Sequence, residues 1–296
     1  MSGEREPARE HGGDGTGEGA PAAAPGHARA GASGTVWEDP GVRHPTAVVD
    51  DAAELHSSCS VGPFAVIGPG VRLGPDVRVG SHALIERDTR LGAGCEIHHG
   101  AVVGTDPQDL KYEGEKAALE VGPRTVIREY ATLNRGTAAS GATRVGADCL
   151  IMAYAHVAHD CRLGDHVILS NTVNMGGHVE IGDWAIVGGV TAIHQFARIG
   201  RHAFVGGGSR LPQDVVPFTT VAGNPCSAYG INSTGLRRRG FDEERIRALQ
   251  GAYRTLFRSD LNLGDAVERL ASEGPDTEDV RAMIEFVRSS ERGVTT

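Results

Sequence analysis

In the stretch AYAHVAHDCRLGDH, Ala153 to His166, two histidines stand three apart, His156 and His159, and Asp160 follows the second. Further on come His178, and then His194 beside Gln195. An imidazole titrates close to neutral pH and can take a proton from a hydroxyl; a neighbouring carboxylate fixes which ring nitrogen carries hydrogen and which is free to act. Three convergent imidazoles suit a second chemistry, a zinc ion that generates hydroxide. In an extended segment His156 and His159 need not point the same way, unlike an i, i+4 pair on a helix. The carboxylate directly after His159 favours the general base over the metal.

Whether these side chains meet depends on the elements that carry them, and a repeat defines those elements. Counting by six from Val49, the chain gives Leu55, Val61, Ile67, Leu73, Val79, Ile85, Leu91, Ile97 and Val103; it resumes at Val121, Ile127 and Leu133, then runs from Val145 to Leu211. The residue after the aliphatic one is often glycine, which reads as a corner with unusual backbone angles. The residue four after it is small or β-branched, and Cys59, Cys95, Cys149 and Cys161 all fall at that inward position. They read as core thiols, and with no CxxC spacing neither a zinc knot nor a disulfide framework is expected. One aliphatic plug per six residues, three hexads to a coil, describes a mainly β protein, a parallel β-helix of triangular section.

Residues 18 apart then stack on successive coils. That places His159 against position 177, beside His178, and puts Asn174 to Gly177 one coil below residues 192 to 195. His159, His178 and His194 are expected along one edge on three successive coils.

Two segments interrupt the count while keeping its phase, near 105–120 and 135–144. The first carries Asp109, Lys111 and Tyr112 and is a candidate for ligand contact. The second, RGTAASGAT, projects from the same edge and is open to ligand contact too, with a tolerated surface insertion the favoured reading. Beyond Leu211 the apolar period becomes helical, with Ile246, Leu249, Tyr253, Leu256 and Phe257, then Val280, Met283, Ile284 and Val287. The expected organisation is a low-complexity disordered tail over 1–36, the β-helix over 37–222, and a C-terminal α-helical domain over 223–296 that covers the last coil.

The formal charge of −9 disfavours a coat for nucleic acid or an anionic membrane. No apolar run reaches the roughly 18 residues of a spanning helix, and no secretory signal is evident, so a cytoplasmic protein without a transmembrane segment is expected. Seven arginines against three acids between Arg237 and Arg258 suit phosphate or an acidic partner.

The motifs HPTAVV, IGPGV, DPQDLKY, IREYATLNRGT, AHVAHDC, AIVGGVTAIHQF and INSTGLRRRGF, in this order from His44 onward, together resemble the acyl carrier protein-dependent UDP-N-acetylglucosamine O-acyltransferases that open lipid A biosynthesis. The resemblance implies a left-handed β-helix and transfer of a 3-hydroxyacyl chain from acyl carrier protein to the sugar 3-hydroxyl. It implies no cofactor, the phosphopantetheine arm arriving with the donor. His159 would be the general base, Asp160 its orienting partner, and the Gly177 N–H the oxyanion donor. His178 and Gln195 match sugar-nucleotide contacts, and His156 and His194 supporting positions. Asp109 and Lys111 would meet the sugar and the acyl-pantetheine arm. Asn232, Arg238 and Arg239 match residues that hold the uridine diphosphate and orient the carrier protein, and Gly207 matches a gauge of acyl length. The family forms homotrimers with sites between subunits. Two departures stand out: the N-terminal extension, and Pro225 where some members carry histidine. Some relatives acylate a 3-amino sugar nucleotide instead, and a zinc-dependent hydratase on the same scaffold is a further alternative. A related N-acyltransferase carries a folded uridine-binding domain before its β-helix, which the N-terminal tail does not resemble.

Overall fold

The computed structural model describes residues 39–296. The expected tail over 1–36 lies outside the described residues. From Val48 to Gly223 the chain winds through short strands that pair in parallel with strands one coil away, and with a closing antiparallel strand they make three faces of nine, eight and ten strands. The first face runs from Val48–Val49 to Arg210–Leu211, the second from Glu54–Leu55 to Arg198–Ile199, and the third from Ser60–Val61 to Cys226–Ile231, whose last strand alone is antiparallel. The register step is 18 residues where the repeat is regular, as in Val48↔Val66 and Ile168↔Ile186. It widens where loops intervene, to Val102↔Thr132 and Ala118↔Ala142.

Every aliphatic plug from Val61 to Leu211 points inward and is buried, with the small residue of each hexad filling the space between plugs. Cys59, Cys95, Cys149 and Cys161 are among these fillers, and each thiol donates to a glycine carbonyl on the next coil, Gly74, Gly122, Gly164 and Gly176 respectively, at 3.1–3.2 Å. Burial pushes the Cys149 and Cys161 thiols up to about 12. They are inert packing residues.

The glycines after the plugs do not make the corners. Gly62, Gly74, Gly80 and Gly122 have ordinary φ, and the left-handed residue falls two positions later in each hexad, at Phe64, Asp76, His82 and Arg124 with φ of 57–58°. What requires glycine is the next coil. A Cβ on Gly122 would sit 2.6 Å from the Ala147 nitrogen and from the Gly146 carbonyl carbon, both backbone atoms of neighbouring chain. Gly122→Ala is therefore expected to cost about 1–3 kcal/mol, the usual penalty for overpacking a rigid contact. Gly251→Ala, in a helix with nothing within 4 Å of the added carbon, is expected to stabilise by up to about 1 kcal/mol. Denaturant midpoints of the two variants measure this contrast.

After Ile231 four helices follow, α1 (Ser233–Arg238), α2 (Glu243–Phe257), α3 (Leu263–Glu273) and α4 (Glu278–Arg288). Each begins at a side chain that accepts from a first-turn N–H: Asn232, Asp242, Asn262 and Thr277. Their apolar stripes close on a second core around Phe218, Ile246, Leu249, Leu270 and Met283. Tyr253 packs instead with the β-helix core, its hydroxyl donating to the Ala228 carbonyl at 2.9 Å. Among the described residues no helix is long and apolar enough to cross a membrane.

Candidate active site

A three-faced prism has three corners, and the corner between the first and second faces gathers the candidate chemistry. The first loop leaves the first face at Thr105 and enters the second at Ala118; the next coil's loop does the same between Asn134 and Ala142; the coil after that carries His159 and Asp160 between Val157 and Arg162. Gly177 and His178, then Gln195 and Phe196, continue the column, tied by His178 N to His159 O at 3.0 Å and Phe196 N to Gly177 O at 3.1 Å. Five successive coils thus contribute to one edge.

At its centre His159 Nδ1 lies 2.8 Å from Asp160 Oδ2, which leaves Nε2 outside that contact. The Asp160 side chain is fully buried. It accepts from the Thr137 N–H at 2.9 Å, the Thr137 hydroxyl at 2.8 Å and the Ser140 hydroxyl, while its own N–H donates to Thr143 Oγ1 at 2.8 Å. Burial alone would raise this carboxyl, but the donors from Ser140, Thr137 and His159 outweigh it and bring it down to about 2. A carboxyl held below its unfolded value near 4 contributes stability above that pH, and the contribution is lost as pH falls toward about 2.

His178 flanks the same carboxylate, with Nε2 3.7 Å from Asp160 Oδ2, its ring edge-on to His159 and stacked on Phe196 with centroids 4.6 Å apart. Gly177 lies flat against the His159 ring, since a Cβ there would meet its Cε1 at 2.6 Å and Nε2 at 2.7 Å. The Gly177 N–H donates to no carbonyl among the described residues. His156 projects from the first face with Nδ1 2.7 Å from Thr132 Oγ1; burial, with His159 nearby, pushes its imidazole below the usual value.

Ligand atoms of His159, Asp160 and His178 lie within 4.8 Å of one another, a spacing that suits a metal ion too. Asp160, however, already accepts four hydrogen bonds, and a metal would have to displace donors from a buried carboxylate. The zinc set drawn from sequence, with His194 as third imidazole, does not form among the described residues: His194 stands on the same edge but is not among the side chains whose ligand atoms lie together, and its Nδ1 is 3.0 Å from the Gln195 carbonyl and 3.1 Å from the Arg292 guanidinium.

Asp109 and Lys111 sit on the first loop, which Asp109 turns by accepting the Lys111 N–H at 3.0 Å. The loop is anchored from below by Arg135, whose buried guanidinium donates to the Gly104 carbonyl at 2.6 Å, to the Tyr112 hydroxyl at 3.3 Å and to Asp106. Sequence reading missed Arg135, Thr137, Ser140 and Thr143. It took their segment for a surface insertion, whereas the structure makes it the support of both the first loop and Asp160. The overlooked signal is the hexad count itself, which sends both insertions from first face to second, as it does AHVAHDC.

The remaining candidates stand elsewhere on this chain. Gly207 is at the corner between the third and first faces, exposed, beside Gly189. Asn232 caps α1 by accepting the Gly235 N–H at 3.1 Å and donates to the His202 carbonyl at 3.0 Å, which leaves one lone pair of its oxygen and one N–H of its amide outside these two bonds. Arg239 lies over the Trp184 ring at 5.2 Å near the corner between second and third faces, and Arg238 beside it is exposed. One prism face, roughly 15–20 Å at strand rise, separates each of these corners from His159. An open concavity of about 870 Å³ also lies on the second face, lined by Glu54, Arg72, Arg90, Glu120 and Arg144. Its charges are paired with one another, as in Arg90–Glu120 at 2.7 Å and Arg144–Glu120 at 3.1 Å, and it lies away from the histidine corner.

Residues 52–87 and 142–177 match the model of the bacterial transferase hexapeptide (six repeats) family, and residues 214–295 that of the second domain of UDP-N-acetylglucosamine O-acyltransferase. The hexad coils together with these two matches place the chain among the hexapeptide-repeat acyltransferases. The acyl-[acyl-carrier-protein]–UDP-N-acetylglucosamine O-acyltransferase of Xanthomonas euvesicatoria is 53% identical over 251 residues, 84% of this chain and 95% of the relative. That of Halorhodospira halophila is 48% identical over 85% of this chain and 98% of its own. The crystal structure of the UDP-N-acetylglucosamine O-acyltransferase from Moraxella catarrhalis superposes with a TM-score of 0.83 at 38% identity, covering 86% of this chain and 99% of that one. The chain belongs to this O-acyltransferase family, and its β-helix is left-handed like those of its structural relatives.

Proposed function

We propose that the enzyme transfers a 3-hydroxyacyl chain from acyl carrier protein to the 3-hydroxyl of UDP-N-acetylglucosamine, the opening step of lipid A biosynthesis, with His159 as general base. The observation that carries this reading is the 2.8 Å contact between His159 Nδ1 and an Asp160 carboxylate held ionised by burial-compensating donors. Nδ1–H donates to Asp160, and Nε2 accepts the proton of the sugar hydroxyl as its oxygen attacks the thioester carbonyl. The Gly177 N–H stabilises the oxyanion. Collapse of the tetrahedral intermediate breaks the carbon–sulfur bond, and the proton on Nε2 passes to the departing thiolate. No acyl-enzyme and no cofactor is needed.

His178 and Gln195 contact the sugar nucleotide, His156 and His194 support the base column, and Asp109 and Lys111 meet the sugar and the pantetheine arm. Asn232 acts by placing the Arg238–Arg239 pair, whose guanidinium geometry suits the diphosphate and the acidic carrier protein. Gly207 bounds the acyl groove. That Gly207, Arg238 and Arg239 stand at corners a face away from His159 supports a homotrimer in which a neighbouring subunit completes each site. Five free cysteines, four of them buried, fit the reducing cytoplasm, where donor and acceptor meet.

The test is mass spectrometry of the nucleotide product after incubation with UDP-N-acetylglucosamine and a panel of 3-hydroxyacyl carrier proteins, with and without chelator. A mass gain of one acyl group, unchanged by chelation, is the expected result, and the productive donor reports chain length. Gain only with the 3-amino sugar nucleotide would move the reading to N-acylation. Loss of turnover on chelation, restored by zinc, would overturn the metal-free mechanism.

A further inference from the structure

We propose that Thr137 and Ser140, in the second inserted loop, are positioning residues of the reaction: they clamp the Asp160 carboxylate so that it aims His159. The proposal rests on the general-base reading above. Asp160 has two oxygens and four donors: Oδ1 takes the Thr137 N–H and the Ser140 hydroxyl, and Oδ2 takes the Thr137 hydroxyl and His159 Nδ1. Three of the four come from a loop that a regular coil would lack. A fully buried carboxylate without donors would take up a proton and cease to fix the His159 tautomer; the loop supplies what burial removes.

The loop is built to hold that geometry. Gly141 N–H donates to the Thr137 carbonyl at 2.8 Å and Ala139 N–H to the Thr137 hydroxyl at 3.1 Å, closing a tight turn around the clamp. Its ends are stitched to the first loop's exit by Gly136 N to Ala118 O and Ala118 N to Gly141 O, both 3.0 Å. At Gly136 an added Cβ would lie 2.7 Å from Ala142 backbone, so the turn leaves no slack. An idle surface excursion needs none of this.

The clamp also shares the carboxylate's charge. The other titratable groups facing the pair are His178, 3.7 Å from Oδ2, His156 beyond His159, the Cys161 thiol next in chain, and Glu115, whose carboxylate accepts the Ala138 N–H at 3.3 Å. As placed, none of them donates a hydrogen bond to the carboxylate. Removing one donor makes the carboxylate more basic, binds the Nδ1 proton more strongly and stabilises the imidazolium. The acid limb of the kcat/KM profile then moves to higher pH, because the base stays protonated further up.

The experiment measures acyl transfer against pH for native enzyme, Ser140→Ala, Thr137→Val and Thr137→Ser, with melting curves for each and His159→Ala as control. The expected result is an acid limb raised by roughly half a unit in Ser140→Ala and Thr137→Val, kcat lowered about 3- to 10-fold with KM unchanged, and near-native behaviour in Thr137→Ser, which keeps the hydroxyl. Ser140→Ala, which deletes one hydroxyl, keeps the test standing if Thr137→Val fails to fold. Native rates and an unmoved limb in folded variants would overturn the proposal, as would a rate loss at an unmoved limb that Thr137→Ser does not restore. Native activity in His159→Ala would instead overturn the general-base reading beneath it.

Discussion

Replacing His159 by alanine is expected to lower kcat for acyl transfer about 10³-fold with little change in either KM, since general-base assistance is worth 10²–10⁴-fold and acts on a proton that moves only in the transition state. The change leaves the first loop and the Gly177 N–H in place, so under the proposed mechanism turnover falls to a residue and not to zero. Steady-state kinetics with saturating UDP-N-acetylglucosamine and acyl carrier protein thioester measure this directly. His178 supplies the internal control, because it too lies near Asp160, with Nε2 at 3.7 Å against 2.8 Å for His159 Nδ1. If His178→Ala falls 10³-fold and His159→Ala stays within tenfold of native, the assignment of the base is reversed.

The hexad count makes most of this legible in the sequence. An 18-residue coil turns sequence separation into height along the prism, which is why His159, Gly177 and His178 could be brought together by counting. Two kinds of fact were not legible. The role of the glycines was misread, because the glycine pattern in the sequence does not distinguish a residue chosen for positive φ from one chosen because the next coil passes 2.6 Å from where its Cβ would be. The clamp was missed because an insertion has no periodicity of its own; only the question of which corner it leaves from, answered by counting hexads in threes, points it at Asp160. Asn232 shows the opposite limit. Its place in a family motif marks it as a nucleotide contact, and nothing in that motif announces that its amide also caps α1 and holds the His202 carbonyl.

Gly177→Ala separates space from strain at the active corner. Gly177 has ordinary φ, so alanine is conformationally acceptable there, and the added methyl meets side-chain atoms of one residue, the His159 ring, at 2.6, 2.7 and 3.1 Å. The imidazole must swing away, taking Nε2 off its line to the sugar hydroxyl and straining the Nδ1 contact to Asp160. Displacement on the order of 1 Å at a reacting group costs about 10²-fold, and that is the expected loss in kcat, with a melting temperature within a few degrees of native. A double-mutant cycle identifies the cause. If the methyl acts by displacing the imidazole, adding Gly177→Ala to His159→Ala costs little more, because the group it displaces is already gone. If it acts by disturbing the Gly177 N–H proposed as oxyanion donor, the 10²-fold loss persists in the His159→Ala background. Full additivity in that cycle would show that His159 and the Gly177 methyl do not compete for one space, and would sink the packing account of why this position is glycine.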